Sequence, residues 1–251
     1  MTNLKIKLFA DGADLNSILS LAKDDRIKGF TTNPTLMRKA GVTDYRSFAK
    51  EVLSNIKDKP ISFEVFADEL DEMETQAHQI ASWADNVYVK IPITNTKGEP
   101  TSKIVSRLSD SGVKVNVTGV FTLSQISEAA NAVRGKTPAV ISVFAGRIAD
   151  TGINPTPIMI KALEICSRSG FAVDGTSKNT KPVNESNIEL LWASPRELYN
   201  IIEANNAGCH IITVASDVLS KLDNLGKDLT QFSLETVQMF YNDAKKAGYS
   251  L

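Results

Sequence analysis

The sequence is poor in the residues on which most metal and nucleophile sites depend. It has two cysteines, Cys166 and Cys209, and two histidines, His78 and His210, and the members of each pair are far apart in the chain. Two cysteines without close spacing indicate neither a disulfide framework nor a zinc site, and they favour a reducing, cytoplasmic location. So few histidines disfavour Ser-His and Cys-His triads as well as His-rich metal sites.

The chain also lacks an excess of either charge and a long apolar run. Lys and Arg total 28 against 29 Asp and Glu, which gives a formal net charge of −1 and no evident basic face for nucleic acid. No run approaches the roughly 18 apolar residues of a membrane helix. The N-terminus, MTNLKIKLFADG, has no apolar signal-peptide core and no cleavage site. We therefore expect a cytoplasmic protein with no nucleic-acid or membrane partner.

What the chain does have is a repeated alternation of apolar and amphipathic segments. Amphipathic stretches such as DEMETQAHQIASWA and LSQISEAANAVRG separate eight strand-like runs. The runs are LKIKLFA, GFTT, ISFEVFA, VYVKIPI, VKVNVTGVF, AVISVFA, IELLWAS and HIITVAS. Such alternation predicts right-handed βαβ units and a parallel sheet.

Eight units in 251 residues predict an α/β protein with a single (β/α)8 TIM-barrel domain over residues 1–251. A doubly wound sheet is the main alternative. That fold usually has a glycine-rich loop after its first strand, whereas this strand ends in FADGAD, without GxGxxG. The pattern therefore favours the barrel.

Two segments lie outside the repeat. Residues 170–187, GFAVDGTSKNTKPVNESN, are polar and predict a long loop before the seventh strand. Residues 230–251 predict an extra C-terminal helix, which either covers the barrel or packs on another subunit of a homo-oligomer. Its apolar residues include Phe232, Leu234, Val237, Phe240 and Tyr241.

A lysine interrupts the apolar strand VYVKIPIT. Lys90 lies between Val89 and Ile91, and lysine is seldom buried without a partner or a task. Lys90 could point to solvent from an edge strand, or it could pair with a carboxylate. As a third interpretation, a desolvated amine becomes a nucleophile of the kind that Schiff-base enzymes use.

Other polar residues follow the predicted strands, where a (β/α)8 barrel has its active site. With Lys90, the strand-end set is Asp11, Thr31, Thr32, Asn33, Glu64, Thr94, Asn116, Thr118, Ser142, Arg147, Ser194, Arg196, Ser216 and Asp217. An amine beside acid/base groups fits carbonyl chemistry through a Schiff base. Arginines after the sixth and seventh strands fit a phosphate anchor.

Taken singly, these residues have ordinary explanations. Asp11 could cap the first helix, although Asp14 is better placed to do so. Glu64 could face outward, the TTNP segment could be only a turn, and Arg147 and Arg196 could be surface residues. Their joint occurrence at one end of a barrel favours a functional site.

The motifs that carry these residues resemble the transaldolase family, in the short branch that includes fructose-6-phosphate aldolases. They are FADGAD, GFTTNPTLM, ISFEV, VYVKIPIT, VNVTGVFTLSQ, SVFAGRIAD and AGCHIITVASDV, and they extend from about Leu4 to the C-terminus. The resemblance implies a (β/α)8 barrel that transfers a dihydroxyacetone unit between sugar phosphates in the pentose phosphate pathway. It implies Schiff-base chemistry with no cofactor and no metal.

The resemblance also implies catalytic roles. Lys90 matches the lysine that forms the Schiff base with the donor ketose. Asp11 matches the acid/base that starts carbon–carbon cleavage. Glu64 and Thr118 match the groups that hold the catalytic water and relay protons during imine formation.

A second set of positions matches the substrate-binding residues of the family. Asn33 and Asn116 match amides that bind hydroxyls of the dihydroxyacetone unit, and Arg147 matches the first phosphate arginine. Ser194 and Arg196 fall where the family has its second phosphate contacts. Thr32, Ser142 and Phe144 are expected in the same substrate site.

Two positions favour transfer over release of free dihydroxyacetone. Glu64 stands where the aldolases tend to have Gln, and Phe144 stands where they have Tyr. The seventh strand departs from the family, because WASPRE has Pro195 in place of an aromatic residue. This departure and the 170–187 segment leave open an altered sugar specificity or aldolase activity. A more remote alternative is a non-catalytic barrel that binds sugar phosphates.

Overall fold

The structure is a computed structural model that describes residues 4–135, 137–169 and 186–250. Over these ranges eight parallel strands form a closed barrel in sequential order. The strands are β1 (Lys7–Asp11), β2 (Ile27–Thr31), β3 (Ile61–Glu64), β4 (Val87–Pro92), β5 (Val115–Val120), β6 (Ala139–Val143), β7 (Ile188–Trp192) and β8 (Ile211–Ala215). Each overlaps one of the eight predicted runs, although β1 ends one residue after LKIKLFA and β2 begins two residues before GFTT. Because β1 pairs with both β2 and β8, the sheet has no edge, and the predicted (β/α)8 barrel is confirmed.

Helices follow every strand and surround the barrel. They are α1 (Leu15–Leu21), α2 (Pro34–Lys39), α3 (Tyr45–Asn55), α4 (Leu70–Ala81), α5 (Ser102–Asp110), α6 (Leu123–Ala132), α7 (Ala145–Ala149), α8 (Thr156–Ser169), α9 (Tyr199–Asn206), α10 (Ser216–Leu219) and α11 (Leu229–Ala247), with a 3₁₀ turn at Leu222–Asn224. Within the described ranges, no helix combines the length and apolarity needed to cross a membrane.

The two-residue period of each strand separates a helix-facing side from a barrel-facing side. On β3, Phe63 packs edge-to-face against Tyr45 and Trp83, with ring centroids 6.1 and 5.7 Å apart. Phe63 therefore faces the helices, and its neighbour Glu64 faces the barrel interior. The outward alternative for Glu64 is wrong.

The barrel interior is layered along its axis. The upper layer lies at the carboxyl ends of the strands and is mostly polar, whereas the layer two residues earlier contains the apolar cluster Phe9, Val140, Leu191 and Ile211. Gly29 belongs to this lower layer. A Cβ atom there would lie 2.5 Å from Cζ of Phe9, so the phenylalanine ring fills the space that a side chain would need.

The C-terminal helix α11 confirms the predicted extra helix. Asp228 caps it by accepting a hydrogen bond from Gln231 N at 2.9 Å, and Gly248 ends it in the left-handed conformation with a φ of 69°. None of its residues is buried. The alternative that it covers the barrel of its own chain is therefore wrong. Of the predicted 170–187 loop, residues 170–185 lie outside the described residues.

Candidate active site

A cavity of about 540 Å³ opens at the carboxyl ends of the strands. Its wall contains most of the side chains that the sequence predicted, and these come from every strand except β8. They are Asp11, Asn33, Glu64, Lys90, Thr118, Ser142, Phe144, Arg147, Ser194 and Arg196. The expected juxtaposition of an amine, two carboxylates and two arginines is thus observed.

Lys90 is 6% exposed, and its amine contacts two oxygen atoms of neighbouring strands and loops. Its Nζ lies 3.0 Å from Oε2 of Glu64 and donates a hydrogen bond to the carbonyl oxygen of Thr32 at 2.8 Å. Since β4 is paired on both sides, the edge-strand interpretation is wrong. The carboxylate-pair interpretation is confirmed, and the nucleophile interpretation stays a prediction.

Asp11 lies in the same wall, where β1 ends. Its Oδ1 accepts a hydrogen bond from the Thr31 hydroxyl at 2.7 Å, and that hydroxyl contacts the Thr213 hydroxyl at 2.5 Å. Burial raises the pKa of Asp11 above its usual value of 3.8, although the charge of Lys90 and the hydrogen bond from Thr31 act in the opposite direction. Desolvation outweighs both, so this carboxyl retains a proton more readily than an exposed aspartate. The cap of α1 is Asp14, as expected, because its Oδ1 accepts from Ser17 N at 2.8 Å.

Thr118 and Asn116 lie on the same side of β5 but at different depths. Thr118 is in the upper layer, and its buried hydroxyl has no hydrogen-bond partner among the described residues. Asn116 is two residues earlier, is fully buried and does not line the cavity. Its side chain donates to Ser62 Oγ at 3.0 Å and accepts from Ser142 Oγ at 2.7 Å. Asn116 therefore holds Ser142 from below, and the expected contact with the cavity is not seen.

Thr32 and Asn33 shape the site in two ways: Thr32 contacts Lys90 through its backbone carbonyl, and Asn33 caps helix α2. The Thr32 side chain is fully buried and donates to the Ser62 carbonyl at 3.1 Å, so its backbone carbonyl, not its hydroxyl, reaches Lys90. Asn33 caps α2 by accepting from Leu36 N at 2.9 Å, with Pro34 at the first helical position. Asn33 also lines the cavity, so the turn and the site interpretations both hold for TTNP.

The two arginines lie at the ends of β6 and β7. Arg147 is exposed and stacks on Phe144, with its Cζ 5.4 Å from the ring centroid, and Phe144 in turn packs against Phe121 at 5.6 Å. Arg196 forms an ion pair with Asp150, and its Nη1 is 3.4 Å from the Ser194 hydroxyl. Both guanidinium groups line the cavity, which gives one part of its wall a positive charge.

The cavity also contains groups that the sequence reasoning did not assign. Thr31 was noted at a strand end without a role, whereas Thr213 and Lys39 were missed. The alternation of Ile211, Thr213 and Ala215 with Ile212 and Val214 is a signal that could have placed Thr213 inside.

No pattern in the sequence singles out Lys39, which ends α2. The expected place of Thr32 in the substrate site is not seen, because Thr32 does not line this cavity, and three other strand-end residues do not line it either. Thr94 forms an isolated bridge with Pro100, and Ser216 and Asp217 line a neighbouring depression of about 320 Å³ that shares Asp11 and Lys39. In the described part of the chain, no cluster of three or more His, Cys, Asp or Glu side chains is arranged to hold a metal ion.

The fold and this side-chain set define a (β/α)8 barrel with a buried lysine–carboxylate centre beside a cationic wall. The sequence model of the Transaldolase/Fructose-6-phosphate aldolase family matches residues 8–251. The chain belongs to this family.

Similar proteins include several that are named as transaldolases. A probable transaldolase 2 of Listeria monocytogenes is 35% identical over 217 residues, which cover 86% of this chain and 88% of that protein. A probable transaldolase of Streptococcus agalactiae is 33% identical over 241 residues, 96% of this chain and 100% of that protein. A probable transaldolase of Lactiplantibacillus plantarum is 36% identical over 217 residues, 86% of this chain and 88% of that protein.

Proposed function

We propose that the chain is a transaldolase that forms a Schiff base on Lys90 and moves a dihydroxyacetone unit between sugar phosphates. The reaction is sedoheptulose 7-phosphate plus glyceraldehyde 3-phosphate to erythrose 4-phosphate plus fructose 6-phosphate, in the pentose phosphate pathway. The observation that carries this proposal is the buried Lys90 amine in contact with Glu64, in a cavity that also contains Asp11. Two free cysteines support a cytoplasmic location.

In this reaction Glu64 accepts a proton from the Lys90 ammonium, and the free amine adds to the ketone carbon of the donor. The proton then leaves with the carbinolamine hydroxyl as water, and a protonated imine (an iminium) remains. Glu64 and the Thr118 hydroxyl hold that water and relay its protons. Asp11 then removes the proton of the hydroxyl on carbon 4. The bond between carbons 3 and 4 breaks, its electron pair moves into the iminium, and the first aldose phosphate leaves an enamine behind.

The second half of the reaction reverses these steps. The enamine carbon attacks the aldehyde of the acceptor, and Asp11 returns its proton to the new hydroxyl. Water then hydrolyses the imine and frees Lys90. An aspartate with a raised pKa suits this double role, because burial makes its carboxylate a stronger base for the hydroxyl proton than an exposed aspartate would be.

Arg147, Ser194 and Arg196 are proposed to bind the terminal phosphate group that the donor and the acceptor each carry. Guanidinium groups form paired hydrogen bonds with phosphate oxygens, and all three side chains line the same cavity as Lys90. Asn33 is proposed to bind donor hydroxyls with the amide nitrogen that its cap leaves free.

The preference for transfer over release is proposed from Phe144. Its ring lines the cavity and is fixed between Phe121 and Arg147, so it presents no hydroxyl to the enamine. An apolar wall excludes a proton donor and leaves the enamine to react with an aldehyde. Fructose-6-phosphate aldolase activity, or transfer with other sugars, is the second candidate, because Pro195 alters the wall at Ser194 and Arg196.

We also propose that α11 packs on a second copy of this chain in a homo-oligomer. The helix has 19 residues, about 28 Å, and none is buried within its own chain. Helices of this size draw most of their stability from packing an apolar face, and Phe232, Val237, Phe240 and Tyr241 are each more than a third exposed. Exposed apolar side chains grouped on one helix in this way are typical of a protein–protein contact.

Borohydride trapping tests the Schiff base. With fructose 6-phosphate, reduction is expected to attach a stable adduct to Lys90, located by peptide mapping. Lys97 and Lys103 serve as internal controls, since Lys97 is exposed and pairs with Glu69. An adduct on either control, or none at all, would refute the assignment.

A product assay tests the choice between transfer and release. Fructose 6-phosphate alone is expected to give little dihydroxyacetone, whereas added erythrose 4-phosphate gives sedoheptulose 7-phosphate. Phe144→Tyr is expected to raise release at the expense of transfer with little change in packing, because the two rings are nearly equal in size. If the unsubstituted protein releases dihydroxyacetone faster than it transfers it, the aldolase alternative is correct.

A further inference from the structure

We infer that Asp150 is a positioning residue that orients Arg196 for the phosphate group of the substrate. This inference rests on the proposed function, in which Arg196 binds that phosphate. Asp150 directly follows α7 and does not line the cavity, so its effect on substrate would be exerted through Arg196.

The contact between the two side chains fixes the plane of the guanidinium. Nε of Arg196 donates to Oδ1 of Asp150 at 3.0 Å, and Nη2 forms a second, short contact with Oδ2. Such a two-point contact restricts both the position and the tilt of the group. The remaining nitrogen, Nη1, lies 3.4 Å from the Ser194 hydroxyl, which lines the cavity. Asp150 therefore holds the Nε and Nη2 side of the guanidinium, and the Nη1 side faces the cavity wall.

The backbone of Arg196 is fixed separately. Its N–H donates to Oδ1 of Asn200 at 2.7 Å, and the N–H of Glu197 donates to the same oxygen at 3.2 Å. Asn200 is in turn held by Glu203 Oε2 at 2.7 Å. Loss of the Asp150 carboxylate would therefore release the guanidinium while the main chain keeps its place.

The element that carries Asp150 is pressed against the loop that carries Ser194. Gly146 N donates to the Ala193 carbonyl at 3.3 Å, and a Cβ on Gly146 would lie 1.6 Å from the Ser194 carbonyl oxygen. Ser194 itself has a φ of 63°, in the left-handed region that non-glycine residues seldom adopt. Helix α7 and the end of β7 are thus packed without space between them. The ion pair between Asp150 and Arg196 is a further contact between the same two segments.

Asp150 also interacts with the charges of two cations. Hydrogen bonds from Arg196 hold the pKa of Asp150 below its usual value, and the charge of Arg147 acts in the same direction. A carboxylate that attracts both guanidinium groups offsets their mutual repulsion, so that both can bind one phosphate. The Asp150 and Arg196 side chains are 52% and 46% exposed, and exposed pairs contribute little to folding. The loss of Asp150 should therefore appear in phosphate binding and not in stability.

The experiment compares Asp150→Asn with a matched pair elsewhere. Glu74 makes the same kind of two-point contact with Arg107, at 2.8 and 2.5 Å, on the outer helix layer, so Glu74→Gln is the control. Lys90 trapping is titrated with fructose 6-phosphate and, separately, with unphosphorylated dihydroxyacetone. Asp150→Asn is expected to raise the half-saturating concentration of fructose 6-phosphate about five- to tenfold and to leave that of dihydroxyacetone unchanged. Glu74→Gln should change neither, and Asp150→Glu should recover part of the loss.

A second readout does not require the reaction. Inorganic phosphate is expected to raise the unfolding midpoint of the unsubstituted protein and of Glu74→Gln more than chloride does at equal ionic strength, and this difference should shrink in Asp150→Asn. Equal or stronger phosphate binding by Asp150→Asn would overturn the inference, because Asp150 would then be indifferent to phosphate or compete with it. Absence of any Lys90 adduct would instead refute the proposed function, while the phosphate measurement would still decide the role of Asp150 in anion binding.

Discussion

Replacing Lys90 by Met would remove one positive charge from a site that holds two buried carboxyl groups. The ammonium is 3.0 Å from Glu64 and also lowers the pKa of Asp11 through its charge. Removal of one partner of a buried ion pair typically costs about 3–5 kcal/mol, because the remaining charge loses its compensation. The side chain of Glu64 is 15% exposed, which places the expected loss at the lower end of that range.

The pH dependence of this loss follows from the direction of the Asp11 shift. Its pKa in the folded protein is already above 3.8, and removal of Lys90 takes away a charge that lowers it, so it should rise further. A carboxyl with a raised folded pKa destabilises the protein increasingly as pH rises from the unfolded to the folded pKa. The deficit of Lys90→Met should therefore be small near pH 4 and largest near pH 8.

Denaturant unfolding of Lys90→Met at pH 4, 6 and 8 measures this deficit. Lys97→Met is the control, because its exposed pair with Glu69 should contribute less than about 1 kcal/mol. The double variant with Glu64→Gln should recover the part of the loss that comes from Glu64, and the remaining, pH-dependent part should come from Asp11. Equal stability of Lys90→Met and the unsubstituted protein at pH 8, or a deficit that grows toward acid pH, would show that the carboxyl groups are not desolvated as described.

Three further predictions concern Asp11, Gly146 and α11. Asp11→Asn is expected to stabilise the protein by about 0.5–2 kcal/mol at pH 8 and less at pH 4, because burial raises the Asp11 pKa; a denaturant-measured gain that is independent of pH would contradict this. Gly146→Ala is expected to cost about 1–3 kcal/mol, since its Cβ would overlap the Ser194 carbonyl, whereas Gly12→Ala, which meets no atom within 4 Å, should cost little by thermal unfolding. A chain ended at Gly226 is expected to have fewer subunits per assembly by light scattering, and an unchanged number of subunits would exclude α11 as the subunit contact.

The strands were predictable because each is buried on both faces, and such strands appear in the sequence as nearly continuous apolar runs. The polar upper layer was predictable for a related reason. Asp11, Glu64, Lys90 and Thr118 interrupt apolar runs close to strand ends, where apolar packing no longer accounts for the side chain.

Depth along the barrel axis was not predictable. Asn116 and Thr118 share one side of β5, and whether the earlier residue reaches the cavity depends on strand tilt and stagger, which arise only when the sheet closes. The pairing of Asp150 with Arg196, 46 residues apart, likewise depends on how two loops meet. Lys39 reaches the cavity from a helix, so strand patterns contain no sign of it.

The apolar layer beneath the cavity has a kinetic consequence. Phe9 occupies the space that Gly29 leaves, and Leu191 and Ile211 pack beside it, so these side chains form an apolar floor beneath the cavity at the carboxyl ends of the strands. In the proposed transfer, donor, first product, acceptor and second product would all enter and leave on the side opposite this floor. Because the phosphates of the first product and of the acceptor are proposed to bind the same arginines, Arg147 and Arg196, beside the enamine on Lys90, the first product must leave before the acceptor binds. Double-displacement kinetics, with parallel lines in double-reciprocal plots, is the expected result.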